Sequence, residues 1–341
     1  MKTSDFNSIK QKLNKVKNIL ITSHTRPDGD AIGSSLGLYN FLIKNYENVF
    51  VMVPNTFPTF LRWMVNSDKI IIFDEQKIEA IEVINKADVI FSLDYNSFSR
   101  IDDMGDYVSK QDAYKVLIDH HPQPEADAFD VVYSDVTASS TSELMYNYIR
   151  LFNNSEQIDK EIAECLYVGI MTDTGSFSFS CDKAETFLVA AELVKKGVNT
   201  REIHNRVYDS NTESRLRLIG YSLYKKMEII PEFSTAIISL KQKELYDFGY
   251  KDGDTEGLVN YGLSVNGINF AVLLTEKKGV IRMSMRSKSG FSVNNFARSY
   301  FNGGGHERAA GGRSDLSMED TILKLKELLH MYSSELNSYK K

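Results

Sequence analysis

The chain opens as an alternation of short apolar runs with longer stretches of helical period. Runs at residues 19–23, 49–53, 69–73, 87–93, 115–118 and 131–133 have the length of strands and are apolar on consecutive positions rather than on every second one. Strands of that kind are buried on both faces. The alternation therefore predicts an α/β fold with a mainly parallel sheet flanked by helices. Residues 33–44 read as the helix after the first strand.

Beyond Tyr133 the period turns helical. Ser140-Thr141-Ser142-Glu143 is a capping-box sequence, opening a helix to about residue 152. Residues 159–171 and 182–196 read as two more helices, the second stopped by Gly197. Residues 200–208 and 212–227 continue the helical zone and are expected to bridge two domains. From about residue 233 a smaller mixed α/β unit begins, with strands at 234–240, 269–275 and 280–285 and a hairpin turn at Lys277-Lys278-Gly279. A helix at 293–301, a glycine run at 303–305 and an amphipathic helix at 318–332 complete it. The expected division is a catalytic domain over 1–197, a helical linker over 198–230 and a second domain over 231–341, with the active-site cleft between the two domains.

Composition narrows the setting. At 341 residues, 42% hydrophobic and 25% charged, this is an ordinary globular chain long enough for two domains. No apolar run approaches the roughly 20 residues that span a bilayer, and the first residues lack a signal-peptide pattern, so no membrane association is expected. Cys165 and Cys181 are the only cysteines, which excludes a cysteine-rich zinc site and fits a cytoplasmic protein. The net charge of −6 argues against a groove for long nucleic acid. Between Lys277 and Arg313, however, eight basic residues face a single acid, Glu307. That local excess reads as a confined anion site or as a solvated face.

Three strand candidates end in acids or imidazoles. The first leads to His24, Asp28 and Asp30, the fourth to Asp94, and the fifth to Asp119-His120-His121. A further acid, Asp173, follows a helix in Asp173-Thr174-Gly175-Ser176-Phe177. Taken singly, Asp94 reads equally as a helix N-cap and Asp28-Gly29-Asp30 as a turn. Together they converge, because ligands of open α/β sheets bind beyond the carboxyl ends of the strands. Oxygen-rich sites with a few imidazoles suit Mn²⁺ or Mg²⁺ better than thiolate metals. This many ligands suits two ions about 3.5–4 Å apart that share a carboxylate, lower the pKa of a bridging water and stabilise charge on a phosphoryl group. Neighbouring residues of an extended segment point opposite ways, so one of His120 and His121 can ligate while the other faces substrate.

The C-terminal unit adds Ser284-Met285-Arg286-Ser287 and Asn302-Gly303-Gly304-Gly305-His306, leading into Ala309-Ala310-Gly311-Gly312. Glycines admit close backbone approach and arginine offers forked donors, so the glycine run reads as a loop that, with Arg286 and His306, clamps a phosphate or nucleotide. It matches neither the Walker A nor the Rossmann spacing.

In these motifs the sequence resembles the DHH phosphoesterases, and in Ser284-Met285-Arg286-Ser287, Gly303-Gly304-Gly305-His306 and Ala309-Ala310 the DHHA1 domain. The resemblance spans nearly the whole chain and is nearest the two-domain NrnA type, the nanoRNases and pAp phosphatases. It implies one ion on His24, Asp28 and Asp94, and a second on Asp30, Asp94, His120 and Asp173, with Asp94 bridging. It also implies that His121 contacts the scissile phosphate, that Asp119 orients the histidines, and that Arg100 either contacts phosphate or is a surface arginine. Arg286, Ser287, Gly303, Gly304, Gly305, His306, Ala309 and Ala310 are implied to hold the nucleotide. Asn302 departs from the family's pattern, standing where many relatives begin a four-glycine run.

The expected activity is thus a two-metal phosphohydrolase, using Mn²⁺ or else Mg²⁺ or Co²⁺. Its substrates would be very short RNA oligonucleotides, pAp, and linear dinucleotides such as pApA. A pyrophosphatase or exopolyphosphatase-like hydrolase is the alternative substrate class, and an inactive nucleotide-binding regulator the alternative of a different kind. Monomer and homodimer both stay open.

Overall fold

The computed structural model describes residues 1–152, 157–179, 181–288 and 290–338. The chain divides into two compact units, Met1–Ser210 and Asn211–Lys341. The division falls after residue 210, between the two segments expected to bridge the domains.

The first unit runs α1 (Thr3–Leu13), β1 (Asn18–Thr22), α2 (Gly29–Leu42), β2 (Asn48–Val53), β3 (Ile71–Ile72), α3 (Lys77–Lys86), β4 (Val89–Leu93), α4 (Asp102–Val108), β5 (Tyr114–Asp119), β6 (Val131–Ser134), α5 (Thr141–Arg150), α6 (Lys160–Asp173), α7 (Ala184–Lys195) and α8 (Thr200–Tyr208). Its strands pair in parallel in the order β3-β2-β1-β4-β5-β6. Both sheet faces are buried. Ile19, Ile21, Phe91, Val116 and Ile118 pack into one apolar core, while Leu20, Ile90 and Leu117 pack into another. That two-sided burial is why the strands read as unbroken apolar runs. Chain direction along the sheet reverses between β1 and β4, the topological switch point where such sheets bind ligands.

The second unit runs α9 (Glu213–Tyr221), β7 (Met227–Ile230), β8 (Thr235–Leu240), α10 (Gln242–Asp247), α11 (Leu258–Ser264), β9 (Phe270–Lys277), β10 (Val280–Ser287), α12 (Val293–Tyr300), β11 (Gly304–His306), β12 (Ala309–Ser314), α13 (Met318–Met331) and α14 (Ser333–Asn337). Its mixed sheet has the order β11-β12-β10-β9-β8-β7, with β8 and β9 parallel and the other pairs antiparallel. The β9–β10 hairpin closes on Lys278-Gly279, both with positive φ (51° and 76°), as its two-residue loop requires. Among the described residues, no helix is long and apolar enough to cross a membrane.

Two sequence expectations change. The helix expected over 212–227 ends its regular turns at Tyr221, passes through a π-helical stretch at Ser222–Lys226 and becomes strand β7 at Met227. The glycine run is a strand rather than a loop: Gly304–His306 forms β11 and pairs with Gly311, Ala310 and Ala309 of β12. Its glycines have a packing reason. A Cβ on Gly305 would lie 2.5 Å from the Ala309 carbonyl oxygen, at a φ of +151°, and one on Gly303 would overlap the Gly311 carbonyl.

Candidate metal centre

The four acid- and imidazole-bearing segments meet at the carboxyl edge of the first sheet, around the β1/β4 switch point. β1 leads into His24. Asp28 is the N-cap of α2, its Oδ1 accepting from the N–H groups of Asp30 (3.0 Å) and Ala31 (3.1 Å). β4 delivers Asp94, β5 ends on Asp119 before His120 and His121, and α6 ends on Asp173. His24, Asp30, Asp94, Asp119, His120 and His121 are all buried.

Imidazole–carboxylate separations here fall into two classes. His24 Nε2 lies 3.3 Å from Asp94 Oδ2 and 3.9 Å from Asp28 Oδ1. His120 Nε2 lies 3.6 Å from Asp94 Oδ1, 3.9 Å from Asp30 Oδ2 and 3.4 Å from Asp173 Oδ2. His121 Nδ1 stands 3.8 Å from Asp94 Oδ1 but only 2.7 Å from Asp119 Oδ1. Charge-assisted hydrogen bonds measure about 2.7–2.9 Å, so only the last pair is one. Ligands about 2.1 Å from a common ion stand about 3 Å apart when adjacent and about 4.2 Å apart when opposite, which brackets the longer separations.

The longer separations form two groups, His24/Asp28/Asp94 and Asp30/Asp94/His120, with Asp94 in both and Asp173 beside His120. The grouping Asp94/Asp119/His121 also lies within 4.8 Å, but there Asp119 Oδ1 and His121 Nδ1 are engaged with each other. The donor set therefore fits two hard divalent cations, with His121–Asp119 as a separate hydrogen-bonded pair.

The electrostatics agree. Burial, and then the charges of Asp30, Asp28, Asp173 and Asp119, push the Asp94 carboxyl well above the usual range. Burial also raises Asp30, against the pull of His120. Buried carboxylates packed this closely call for bound cations. Burial lowers His24 and His121, favouring neutral imidazole. Burial opposes the charged forms of His120 and Asp119 as well. It is outweighed at His120 by Asp173, Asp30 and Asp119, which raise it, and at Asp119 by His121, which leaves that carboxyl low.

Residues that the sequence reading did not single out hold this arrangement. Asp30 Oδ2 accepts from Thr141 N (2.6 Å) and Oδ1 from Ser142 N (2.9 Å), so it caps the N-terminus of α5 from another helix. Thr141 Oγ1 donates to Asp94 Oδ1 (3.0 Å), and His120 Nδ1 lies 3.4 Å from the Ala138 carbonyl. Ser140 caps Glu143 N (3.0 Å) as the capping box predicts. The Glu143 carboxylate instead accepts from Ser139 N, Ser139 Oγ and Thr186 Oγ1 (3.2, 2.6 and 2.8 Å). The segment 138–142 thereby touches Asp30, Asp94 and His120 at once.

Gly29, Gly33 and Gly37 of α2 face α6, where a Cβ on Gly33 would lie 2.6 Å from the Cys165 carbonyl oxygen. This close approach brings Asp173 to the end of α6 beside the first turn of α2. Each of the four segments also carries non-glycine residues with positive φ: Arg26 (53°), Asp94 (64°), Gln123 (58°), and Ser176 and Phe177 (57° and 62°). Such conformations cost about 1–3 kcal/mol each and cluster at functional sites.

Arg100 sits in the turn Phe98–Ile101, its carbonyl accepting from Thr25 N (2.9 Å). Its charge helps to depress His24 and His121. Within the second unit, strand register puts Arg286 opposite Ala309, and Ala309 opposite His306, so these three share one sheet face. Gly304 and Gly311 lie on that face one step along. Ser287, Gly305 and Ala310 belong to the opposite face by alternation, where Ser287 and Ala310 are buried. Gly303 lies just before β11.

The sequence model of the DHH family, N-terminal domain, matches residues 18–170, and that of the DHHA1 domain matches residues 235–336. The chain is 31% identical over 294 residues to the bifunctional oligoribonuclease and PAP phosphatase NrnA of Bacillus subtilis, covering 86% of this chain and 88% of that one. It is 29% identical to a probable bifunctional oligoribonuclease and PAP phosphatase NrnA of Streptococcus mutans, covering 95% and 99% of the two chains. A crystal structure of an exopolyphosphatase-related protein from Bacteroides fragilis superposes with a TM-score of 0.94 at 40% identity, over 99% of this chain and 98% of that one.

Proposed function

Because the chain belongs to the DHH family of phosphoesterases and carries a DHHA1 domain, we propose that it hydrolyses the phosphate ester bonds of very short RNA oligonucleotides and of pAp, and linear dinucleotides such as pApA. The observation that carries this reading is the pair of ligand groups joined at Asp94, set apart by distance from the hydrogen-bonded His121–Asp119 pair. Two divalent ions held by His24, Asp28, Asp30, Asp94, His120 and Asp173 would supply the charge that in-line attack at phosphorus needs. Mn²⁺ is the proposed metal, with Mg²⁺ or Co²⁺ as substitutes.

The chain's own groups take defined parts. Asp119 accepts the Nδ1 proton of His121, which leaves Nε2 of the neutral imidazole as a proton acceptor; once protonated there, it would donate to a phosphoryl oxygen. Arg100 offers forked donors to the same phosphate. In the second unit Arg286, with Gly304 and His306 on its sheet face, would grip the nucleotide or its terminal phosphate. That grip favours short substrates, in line with the names of the Bacillus subtilis and Streptococcus mutans relatives. The Bacteroides fragilis protein, described as exopolyphosphatase-related, favours a second reading, hydrolysis of polyphosphate, with pyrophosphate as the simplest substrate of that chemistry.

A divalent-metal panel with pAp, 5′-phosphorylated RNA dimers to pentamers, pApA, pyrophosphate and polyphosphate tests both. Release of phosphate or mononucleotide from the nucleotide substrates is the expected result. Turnover confined to pyrophosphate or polyphosphate would replace the first reading with the second. Binding of pAp with no hydrolysis under any ion would make the protein a nucleotide-binding regulator.

A further inference from the structure

Resting on that reading of the second unit, we infer that Arg282 and Arg313 form a second phosphate subsite, which holds the backbone of an oligonucleotide beyond the nucleotide at Arg286. β10 alternates strictly: Ile281, Met283, Met285 and Ser287 are buried, while Arg282, Ser284 and Arg286 face the other way and stay partly exposed. Register places Arg282 directly opposite Arg313 of β12, Ser284 opposite Gly311 and Arg286 opposite Ala309. One face thus carries two guanidiniums at one end and a third at the other, with only a serine and a glycine between. A Cβ on Gly311 would meet nothing nearer than the Met283 carbonyl at 3.8 Å.

Like charges directly opposite across a sheet repel, so the Arg282–Arg313 juxtaposition favours anions, which two exposed carboxylates supply here. The acids that face them are few. Asp315 accepts from Arg313 Nη2 (2.8 Å) and Nε (3.1 Å), and both side chains are more than half exposed. Asp252 feels the charge of Arg282 and pairs with Lys277 at 2.8 Å. Exposed pairs of this kind are weak and exchange readily for a phosphate.

Four residues along β10 separate Arg282 from Arg286, about 13–14 Å at ~3.4 Å per residue. Successive phosphates of a stacked strand rise ~3.4 Å along its axis, so the pair meets a phosphate within about four nucleotides of the one at Arg286. A mononucleotide such as pAp is too short to reach both places, and a pentamer reaches them. The subsite would therefore set chain-length preference.

The test compares kcat/KM for a 5′-phosphorylated RNA pentamer with that for pAp, using the full-length protein with its divalent ion. In the variant R282A/R313A the pentamer-to-pAp ratio should fall at least ten-fold, and R282K/R313K should recover part of it. A ratio within two-fold of wild type in R282A/R313A overturns the subsite. So does a wild-type protein that hydrolyses pAp but binds the pentamer no more tightly than a dimer. A wild-type protein that hydrolyses neither substrate overturns the proposed function, and the subsite with it. Misfolding does not confuse the reading, because pAp turnover reports on the folded enzyme and removing facing like charges does not weaken the sheet.

Discussion

Gly33→Ala separates a packing role from mere helix propensity, because the two predict opposite signs. In an exposed helix interior, glycine to alanine stabilises by about 1 kcal/mol. At Gly33 the new Cβ would stand 2.6 Å from the Cys165 carbonyl oxygen, 2.9 Å from Gly169 N and 3.1 Å from Gly169 Cα. All three are backbone atoms of α6, so no side chain can swing aside. Restoring ordinary contact requires α2 and α6 to part by well over half an ångström at this point. Overpacking of this kind costs about 1–3 kcal/mol, with the upper end expected against backbone. After the propensity gain the net is a loss of roughly 2 kcal/mol, or about 4–8 °C in Tm for a unit of this size.

The same movement shifts Asp30, on α2, against Asp173, on α6. Metal constellations tolerate about 0.5 Å, and a misplacement near 1 Å costs about 10²-fold in rate. Thermal melting followed by circular dichroism, together with metal-dependent phosphate release, reads both effects. Gly220→Ala in α9 is the internal control, since a Cβ there meets nothing within 4 Å and should stabilise. If Gly33→Ala raised Tm as Gly220→Ala does and kept full activity, the close α2–α6 contact would not be what builds the site.

The remaining predictions follow from single contacts. Asp94→Asn should lower turnover by at least ~10³-fold while leaving the fold intact, and should abolish the rise in Tm that divalent ions give the wild type, about 2.7 kcal/mol at a hundred-fold excess over Kd; near-wild-type phosphate release would sink the two-ion assignment. Thr141→Val, which removes the 3.0 Å bond to Asp94 Oδ1, should weaken metal binding about 10–100-fold by calorimetry, whereas Thr141→Ser should not. Gly304→Ala should fold normally, its Cβ meeting nothing closer than 3.5 Å, but raise KM for nucleotide substrates; an unchanged KM would remove Gly304 from the grip. Asp88 Oδ2 accepts from Lys17 N and Asn18 N at 2.9 Å each, which holds its carboxyl below the usual range. Its stabilisation is therefore present above the ordinary carboxylate pKa and lost as pH falls through the lower folded pKa, so wild type and Asp88→Asn should differ in Tm at pH 7 and converge in strong acid, once that carboxyl is protonated in both states.

The first sheet was legible because its central strands β1 and β4 are buried on both faces. Apolar runs at the positions of β1, β4 and β5 have no other common use, and the acids at their ends then converge by topology. β7 was not legible: Met227-Glu228-Ile229-Ile230 follows a helix without a Gly or Pro break, since a π-helical stretch makes the transition. The glycine run misled for a physical reason. Glycine suits a loop around a ligand, but it also suits a strand whose backbone is crowded by its neighbour, and only the register with β12 tells these apart. The acids and imidazoles that meet at the sheet edge could be picked out by their chemistry, whereas Thr141 could not. A threonine at the first turn of a helix reads as capping, and its bond to Asp94 spans 47 residues of sequence.

Two of the clustered acids, Asp28 and Asp30, are held by helix N-termini rather than by cationic side chains. Asp28 and Asp30 lie at the N-terminus of α2, and Asp30 also takes the first two N–H groups of α5. Two helix dipoles thus favour the ionised carboxylates there without occupying every oxygen lone pair. Had lysine or arginine neutralised the acids instead, the side chains would have filled the space that ions need. Imidazole–carboxylate distances of 3.3–3.9 Å around Asp94, beside a 2.7 Å bond one residue along the chain, are the geometric trace of that difference. The same Asp-His-His triplet therefore serves two ends: His120 stands off from its carboxylates at ion-bridging distance, while Asp119 and His121 close on each other.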